Sequence, residues 1–394
     1  MVVWIVNPYD NLPLEGYRPQ RYWLMARAFA RHGHDVTLWS SDFSHAHKSK
    51  REMTGERLGT LAEAELWNGD GFRLALISAP PYGKNICLKR VLSHAVLARR
   101  WRSCAERTQT PDLIVASSPP LSLCAAVRRF AVKRGIPFIV DVMDAWPETF
   151  ARVLPSPILA PLASIARRNY CGATGVSVVA RRYAELVRGY GVTCDVHVCP
   201  HGVELHNREK TQMTQSRSNE TLRLVYCGNM GASYDLATLI DVVRAHDPFE
   251  LDLAGAGPKE AELRARASEC PRIRFHGYLD DDALRSLLVA ADAGVVPMFP
   301  DSCVGIPYKL ADYAAAGLPI VNSLPGESAQ LIADCGAGFT YNAGSVESLS
   351  SALDSLAAAD CAALRAGADA LAKIFDADAI YPEYVSWAEG ICVA

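Results

Sequence analysis

Short apolar runs alternate with helical patterns along most of the chain, and this alternation constrains the fold more than any other feature. In the amino-terminal half the apolar runs lie at Val2–Val6, 36–39, 74–78, 113–116, Phe138–Val142 and 175–179. Amphipathic helical patterns, of which Arg21–Arg31 and Leu121–Arg134 are examples, separate these runs. Strands that alternate with helices form parallel sheets with helices on both faces, so the sequence predicts an α/β fold.

The alternation pauses near residues 196–200, is followed by a polar stretch without periodicity, 206–219, which indicates a linker or long surface loop, and then restarts. The second series predicts strands at 223–227, 250–254, 273–276, 293–297 and 319–322. It predicts helices at Leu236–Ala245, 260–269, 282–290 and 308–316, with a helical region from about Val346 onward. A chain of 394 residues exceeds one comfortable core. We therefore expect two doubly wound, Rossmann-like domains, residues 1–200 and 201–380, that face each other across a cleft, and a terminal helix, 381–394, that packs back on the first domain.

Composition indicates an ordinary globular protein, since half of the residues are hydrophobic and 21% are charged. No apolar run has the length of a membrane-spanning helix, and Val2–Val6 is followed at once by polar Asn7, unlike a signal peptide. The 12 cysteines are scattered without a C-x-x-C pair. These features predict a cytoplasmic protein with reduced thiols.

The formal net charge of −3 hides an uneven distribution. Residues 1–200 contain 26 Lys and Arg against 16 Asp and Glu, whereas the remainder contains 14 against 27. A basic half joined to an acidic half indicates that the two halves face different partners. A chance distribution of charge over solvated faces is the alternative interpretation.

Two glycine turns follow predicted strands in the second half. In the first, Gly228-Asn229-Met230-Gly231, glycines let backbone N–H groups approach an anion, and a helix start adds a positive dipole end, which suits a diphosphate. Such turns are also common structural features of α/β proteins. The second turn, residues 254–258, lacks the third glycine of a dinucleotide fingerprint, and we interpret it as structural.

A third segment, residues 304–321, places charged residues at a helix start. Pro307 opens the helix and Gly317 ends it. Lys309 lies in the first turn, where the helix dipole disfavours a cation unless it serves an anion, and Asp312 follows on the same side. This pair fits a phosphate and a ribose diol, although an ordinary surface Lys–Asp pair is the alternative.

Two further patterns have simpler explanations. The run Asp280-Asp281-Asp282 resembles a metal-binding DxD, but it precedes a helical pattern, where Asp is a preferred cap. His201 could be catalytic, although a hinge between domains accounts for it equally well.

The order of these turns resembles that of retaining glycosyltransferases of family 4, which have the GT-B fold. The resemblance extends from Pro8 and Gly16 to the terminal helix, and the phrase Val140-Asp-Val-Met-Asp-Ala-Trp-Pro-Glu148 is closest to the branch that builds bacterial surface polysaccharides. It implies transfer of a sugar from a nucleotide-sugar donor to a saccharide acceptor with retention of configuration. A UDP-sugar, a hexosyl or N-acetylhexosaminyl group, and no metal or other cofactor are the expectations.

Residue by residue, the resemblance is partial. Asp312 matches the second acidic position of the family's donor helix, which holds the ribose, but Val304 stands where the first glutamate is expected. Asn229 stands where an Arg follows the first turn, so Lys309 is inferred to neutralise the diphosphate. Asp144 matches the acidic member of an H-D-x-W-P pattern in which Met143 replaces the histidine.

The expected catalytic residues are Asp144 and Lys309. Donor binding is assigned to Gly228, Asn229, Gly231, Gly277, Tyr278, Pro307, Tyr308, Lys309, Leu310 and Asp312. The resemblance implies that a loop near the amino terminus closes over the acceptor, with Glu15, Gly16, Arg18 and Arg21 as candidates. A purely structural loop is the alternative.

The segment from Lys84 to Arg107 interleaves basic residues with apolar residues and Trp101, as in helices that lie on anionic membranes. Packing of this helix on the sheet would explain its apolar face equally well. If it binds a membrane, the protein is peripheral on the inner face of the cytoplasmic membrane and the acceptor is a lipid-linked saccharide. A GT-B epimerase or phosphorylase, and a non-catalytic nucleotide-sugar-binding protein, are the competing functions. No recognised module predicts nucleic-acid binding.

Overall fold

The computed structural model describes residues 1–51, 56–57, 64–151, 154–205 and 221–393. The polar stretch 206–219, which the sequence indicates as a linker or surface loop, lies outside the described residues. The chain divides into two compact units. Unit 1 comprises Met1–Gly202 and Asp378–Ala394, and unit 2 comprises Val203–Ala377.

Unit 1 contains a nine-stranded sheet in the order β11-β10-β9-β8-β1-β2-β7-β6-β5. Its strands are β1 Val2–Val6, β2 Asp35–Ser41, β5 Glu56–Arg57, β6 Ala64–Gly69, β7 Phe72–Ile77, β8 Leu113–Ser118, β9 Phe138–Val142, β10 Gly175–Val178 and β11 Asp195–Val198. Short strands β3 Phe43–Ser44 and β4 Ser49–Lys50 form a separate antiparallel pair. The pairs from β11 through β7 are parallel, whereas β5, β6 and β7 pair antiparallel.

Helices cover the sheet of unit 1. They are α1 Arg21–Arg31, α2 Leu88–Ala105, α3 Leu121–Arg134, α4 Ser156–Cys171 and α5 Arg181–Gly189. Their apolar sides pack on strands, as the aromatic contacts of Trp4 in β1 with Trp101 in α2 and Phe130 in α3 illustrate, with ring centroids 6.3 and 5.7 Å apart. Edge-to-face and stacked aromatic pairs of this kind add to the burial of apolar area.

Unit 2 contains a six-stranded parallel sheet in the order β14-β13-β12-β15-β16-β17. Its strands are β12 Leu222–Cys227, β13 Phe249–Ala254, β14 Ile273–Gly277, β15 Ala293–Val296, β16 Ile320–Asn322 and β17 Gly338–Thr340. Its helices are α6 Leu236–Ala245, α7 Glu260–Arg266, α8 Asp281–Val289, α9 Tyr308–Ala315, α10 Glu327–Cys335, α11 Val346–Ala358 and α12 Cys361–Ile374. Counted within the unit, this is the strand order of dinucleotide-binding folds, which reverses between β12 and β15.

The predicted α/β fold class with two Rossmann-like halves is confirmed. The expectation that 175–179 ends the first strand series is wrong, because β11 follows it. This edge strand is exposed at both ends and half-buried between them, and it lacks the apolar run by which buried strands were identified. The expectation of a wholly parallel first sheet is also wrong, because β5 and β6 extend it antiparallel.

The last helix, α13 Ala377–Val393, begins before residue 381, where the sequence analysis placed it. Its side chains pack against unit 1, to which Asp378–Ala394 belongs. The Tyr384 hydroxyl lies 3.2 Å from the Ser177 hydroxyl, and the Trp387 indole N–H donates to Asp195 over 2.6 Å. The chain therefore returns to its first unit after completing its second.

Candidate active site

The carboxyl edge of the unit 2 sheet carries the first glycine turn. β12 ends at Cys227, and Gly228-Asn229-Met230-Gly231 follow it directly. Because strand order reverses between β12 and β15, this turn lies at the switch point where α/β sheets bind ligands.

The second glycine turn, residues 254–258, supports the first. The Met230 N–H donates to Ala256 O over 3.0 Å, and the Gly255 N–H donates to Gly277 O over 2.6 Å. A Cβ on Gly255 would lie 2.0 Å from Gly228 O, and Gly255 has a φ of +116°. Only glycine permits such an approach, so the geometry agrees with the structural interpretation of this turn.

The backbone donors of the first turn differ from expectation. The Gly228 N–H already donates to Ala254 O over 2.9 Å, so it is not available to a diphosphate. The positive end of α6 is occupied as well, because its cap Asp235 accepts from the N–H of Thr238. In the described part of the chain, the Gly231 N–H donates to no protein acceptor. The Gly231 N–H is therefore available to a diphosphate, as expected, whereas the Gly228 N–H is not.

Gly228 makes room for Lys309. A Cβ on Gly228 would lie 3.3 Å from the Lys309 Nζ, so the ammonium group lies directly beside this glycine. Lys309 is in the first turn of α9 and is only 7% exposed. Its Nζ lies 4.0 Å from the ring centroid of Tyr234 and 4.9 Å from that of Tyr226. None of the described carboxylates forms an ion pair with the Lys309 ammonium.

A nearly buried cation without a counter-ion is costly unless a ligand supplies the negative charge. The aromatic faces of Tyr226 and Tyr234 compensate only in part, since a cation–π contact contributes about 0.5–2 kcal/mol. The Lys309 ammonium beside Gly228, at the turn that also carries the Gly231 N–H, can therefore hold a diphosphate at this edge of the sheet.

Helix α9 is fixed to β12 by Tyr313. The Cys227 N–H donates to the Tyr313 hydroxyl over 2.9 Å. The ring of Tyr313 lies against Gly294 of β15, where a Cβ would come within 2.3 Å of the ring. Gly294 thus admits the ring that sets the position of α9, and with it that of Lys309.

The structure places the remaining donor-side residues unequally. Asp312 is half-buried one turn after Lys309, and Pro307 is the cap of α9. Both charges act on Cys227: the pKa of this thiol is raised to about 12, chiefly by burial and also by Asp312, while Lys309 opposes the shift. Asp312 and Lys309 therefore lie together at the end of β12.

The other residues expected to bind the donor lie further along the edge or inside it. Gly277 ends β14, which β13 separates from β12, and exposed Tyr278 follows it. Tyr308 is half-buried at the start of α9. Leu310 has no exposed surface and packs in the core, so only its backbone is a candidate for the expected donor contact.

In unit 1, the expected acceptor-side loop is internally bonded. Glu15 forms an ion pair with Arg51 at 3.0 Å and accepts from the Leu12 N–H over 3.1 Å. Gly16, with a φ of +80°, ends the short turn Pro13–Glu15. Arg18 is half-buried, and its charge helps to lower the pKa of buried His201, for which burial is the larger cause.

Arg21 does not fit its expected role. Its side chain has no exposed surface and forms two hydrogen bonds of 2.8 Å to Asp141 of β9. It also donates to the carbonyl oxygens of Cys199 and Pro200. Arg21 therefore joins α1, β9 and the end of unit 1, and contacts no acceptor.

Asp144 lies just beyond β9. Its carboxylate accepts from the Trp146 indole N–H over 3.0 Å and from the Thr149 hydroxyl over 2.9 Å. Burial raises the pKa of Asp144 above its ordinary value, although these hydrogen bonds oppose the shift. Met143, which stands in place of the histidine, lies 4.0 Å from the Asn7 amide nitrogen.

Two other expectations have structural outcomes. Asp280 caps α8, with its carboxylate accepting from the Ala283 N–H over 2.8 Å, as predicted. Within the basic segment from Lys84 to Arg107, Trp101 and Leu97 are buried, so these residues pack on unit 1 and cannot face a membrane. None of the helices in the described part of the chain combines the length and hydrophobicity that crossing a membrane requires.

Sequence reasoning missed a second group of residues beyond the strands of unit 1. Tyr9 follows β1, Tyr82 follows β7, Trp146 follows β9, and Arg90 and His94 lie in α2. Arg90 was noticed only as one of several basic residues. Its burial among aromatic rings depends on contacts with segments far away in sequence.

Two family models match the chain. The model described as glycosyl transferase 4-like domain matches residues 19–202, and the model described as glycosyl transferases group 1 matches residues 221–359. Among curated protein sequences, none matches the chain.

Solved structures share the fold over their whole length. A sucrose-phosphate synthase from Thermosynechococcus elongatus superposes with a TM-score of 0.74 at 13% identity, covering 99% of this chain and 98% of the other. HepE of Anabaena in complex with UDP-glucose gives 0.66 at 14% identity, with 99% and 100% covered. The lipopolysaccharide outer core galactosyltransferase WaaB, in its apo form, gives 0.59 at 14% identity, with 99% of each chain covered. With the two matched family models, these likenesses identify the chain as a glycosyltransferase with the GT-B fold.

Proposed function

We propose that the chain transfers a hexosyl or N-acetylhexosaminyl group from a UDP-sugar to a saccharide acceptor, with retention of configuration, in the synthesis of a surface polysaccharide. The observation that carries the proposal is the nearly buried Lys309 ammonium beside Gly228, without a counter-ion among the described residues. The choice of UDP is supported by related folds that hold UDP-glucose and UDP-2-fluoro glucose.

The chemistry requires stabilisation of a leaving diphosphate. When the bond between the sugar and the phosphate breaks, negative charge develops on the diphosphate and positive charge on the sugar. Lys309 and the Gly231 N–H supply positive charge without a metal ion. Asp312, one turn further along α9, accepts the ribose hydroxyls. We therefore propose catalysis that does not depend on a divalent cation.

Val304 affects the sugar end of the donor. The resemblance implies a glutamate at this position that contacts the sugar, and valine offers no hydrogen bond there. We propose that the chain binds its donor chiefly through the nucleotide and the diphosphate. Several UDP-sugars should then bind with similar affinity.

We further propose a lipid-linked acceptor at an anionic membrane on the cytoplasmic side. The first part of α2 and the loop before it expose four apolar side chains, which we call the apolar patch: Ile86, Leu88, Val91 and Leu92, exposed by 53, 87, 65 and 59%. Exposed Lys84 and Lys89 flank the patch. Apolar residues rimmed by lysines are suited to a membrane interface.

A transfer assay with a radiolabelled UDP-sugar tests the proposed function. Labelled UDP-glucose, UDP-galactose and UDP-N-acetylglucosamine are incubated with a lipid-linked saccharide extract, with and without EDTA. We expect the label to enter the lipid fraction equally in both conditions. Isomerisation of the donor without acceptor would favour an epimerase, and donor binding without turnover would favour a non-catalytic binding protein.

A further inference from the structure

A cationic and aromatic cluster lies beyond the carboxyl ends of the unit 1 strands. We call it the Arg90 cluster and define it as Tyr9, Lys48, Tyr82, Arg90, His94 and Trp146. The residues come from five segments, which the parallel strands bring to one edge of the sheet.

Aromatic rings surround the Arg90 guanidinium. Its Cζ lies 4.9, 5.6 and 5.8 Å from the ring centroids of Trp146, Tyr9 and Tyr82. The Lys48 Nζ lies 5.2 Å from the same Tyr82 ring. Two cations thus share one ring, although like charges repel each other.

The hydrogen bonds of the cluster pair neither of its cations with a carboxylate, although buried Asp144 is near enough that the Arg90 charge opposes the upward shift that burial causes in its pKa. Arg90 donates to Asn85 O over 2.7 Å and to the Tyr9 hydroxyl over 3.2 Å, and Lys48 donates to His45 O and to Asn85 Oδ1. These partners are neutral. Neither cation forms an ion pair with a carboxylate of the described residues, and Asp144 is bonded to Trp146 and Thr149.

One donor in the cluster is left without any partner. Arg90 is only 8% exposed, and its buried Nε has no hydrogen-bond partner. A buried guanidinium donor that lacks a partner is destabilising, because it has lost its hydrogen bond to water without gaining another. A ligand oxygen that accepts from Nε would remove this cost.

The histidines add no charge that would change this balance. Burial, with the nearby Arg90 charge as the next cause, lowers the pKa of His94 and of His45 to about 3. Burial and Arg90 also lower the pKa of Lys48, to about 8. At neutral pH the cluster therefore presents Arg90 and Lys48 as cations, while His94 and the neighbouring His45 are neutral.

The surface of the cluster suits a sugar as well. Tyr9 and Trp146 are half-buried, so part of each side chain is accessible. Aromatic faces provide apolar contact area, while the Tyr9 hydroxyl and the His94 Nε2, 2.8 Å apart, can exchange hydrogen bonds with hydroxyl groups.

We propose that the Arg90 cluster binds an anionic group of the acceptor, a phosphate or a sugar carboxylate, through Arg90 and Lys48, while a sugar ring contacts Tyr9 and Trp146. The identification of the bound molecule as the acceptor rests on the proposed function. The anion site itself rests on the contacts above. It would make the enzyme select acceptors that carry negative charge close to the sugar that is extended.

Calorimetric titration of the intact chain tests the proposal. The donor site is first filled with saturating UDP, and the protein is then titrated with inorganic pyrophosphate, with glucuronate or with glucose. Pyrophosphate and glucuronate distinguish a phosphate from a carboxylate as the preferred anion, and glucose is the matched neutral sugar. We expect at least one anion to bind about tenfold or more tightly than glucose.

Variants assign the binding to the cluster. Arg90→Gln and Lys48→Gln should each weaken anion binding about tenfold, while the exposed Lys133→Gln on α3 should leave it unchanged. UDP affinity should be equal in all four proteins. If Arg90→Gln does not fold, as thermal melting would reveal, Lys48→Gln decides.

The outcomes separate the two proposals. Wild-type protein that binds UDP but neither anion, or variants that bind anions as well as the wild type, would overturn the Arg90 cluster as an anion site and leave the donor assignment intact. Wild-type protein that binds glucuronate in a manner dependent on Arg90, but does not bind UDP, would support the anion site and overturn the proposed function.

Discussion

Arg21 and Asp141 form a fully buried ion pair that joins the amino-terminal helix to the middle of the first sheet. The Asp141 carboxylate also accepts from the Tyr22 and Ser177 hydroxyls, both over 2.6 Å. Burial alone would raise the pKa of Asp141, but the Arg21 charge and these hydrogen bonds outweigh it and lower the pKa below its ordinary value. The pair is therefore stabilising only while both partners are present and charged.

Asp141→Asn should lower the free energy of unfolding by about 3–5 kcal/mol at pH 7, because it leaves the Arg21 charge buried without a counter-ion. Since the folded-state pKa is lowered, the ionic contribution is complete above about pH 4 and is lost as the pH falls through the folded-state value. Urea denaturation at pH 7 and pH 3 should show the wild-type advantage shrinking on acidification.

A matched change serves as the control for this prediction. Glu106→Gln removes an exposed carboxylate that pairs with Arg102, with side chains 43 and 62% exposed, and should change the unfolding free energy by less than about 1 kcal/mol. Equal destabilisation by the two substitutions would contradict the assigned role of Asp141.

For single residues, the sequence predicts a role that depends on local position in a helix better than one that depends on contacts with distant segments. Lys309 stands out because a cation in the first turn of a helix opposes the helix dipole, and this is a local signal. Arg21 and Arg90 give no comparable signal. Arg21 is buried by Asp141, 120 positions away, and Arg90 by rings that follow different strands, so both were assigned to surface roles.

Among the elements, α9 has the most demanding position. It must bring Lys309 beside Gly228, and its register is fixed by the hydrogen bond of Tyr313 to Cys227 and by the space above Gly294. No side chain other than hydrogen fits at Gly294 without displacing the ring. The donor site therefore depends on a glycine in β15 that touches no ligand.

Gly294→Ala should weaken UDP binding about tenfold or more, because its Cβ would displace the Tyr313 ring and with it α9. Fluorescence or calorimetric titration with UDP measures the effect. Gly189→Ala at the end of α5, where a Cβ meets nothing within 4 Å, should leave UDP affinity unchanged. Unaltered UDP binding by folded Gly294→Ala would show that α9 does not set the position of Lys309.

Elements with a strong apolar pattern were predicted well, and weakly patterned elements were missed. Two elements have the predicted bounds, the strand Phe138–Val142 and the helix Leu236–Ala245. The strand is buried on both faces of the sheet and the helix has a continuous apolar face, and both kinds of burial produce a clear apolar pattern in the sequence. β11 and β17 lie at sheet edges and are mostly half-buried or exposed. Helix α10, between the predicted strand at 319–322 and the helical region from Val346, was also missed.

For the whole molecule, the excess of basic residues in the first 200 positions agrees with a role for unit 1 at an anionic surface. Trp101 is among the apolar residues of the Lys84–Arg107 segment that suggest membrane binding. Packing on the sheet buries both Trp101 and Leu97, and the exposed apolar patch at 86–92 is what remains. Sequence periodicity could not separate the buried face of α2 from its exposed face because both contain apolar residues.

The double variant Leu88→Gln, Leu92→Gln should reduce binding to vesicles of phosphatidylglycerol and phosphatidylcholine about tenfold, since each leucine that enters the interface contributes on the order of 1 kcal/mol. Co-sedimentation at low and high salt measures this, and binding of the wild type should fall at high salt. Val132→Gln, an equally exposed apolar residue on α3, is the control. Binding that is absent, or that the double variant retains in full, would exclude the patch as a membrane contact.

The account depends most on the contact between Lys309 and the donor diphosphate. Calorimetric titration of wild-type chain and Lys309→Met with UDP and with uridine measures it directly, because uridine lacks the diphosphate. We predict that UDP binding falls about tenfold to a hundredfold in the variant while uridine binding does not change. Equal affinity of both proteins for UDP, or an equal loss for UDP and uridine, would contradict the assignment.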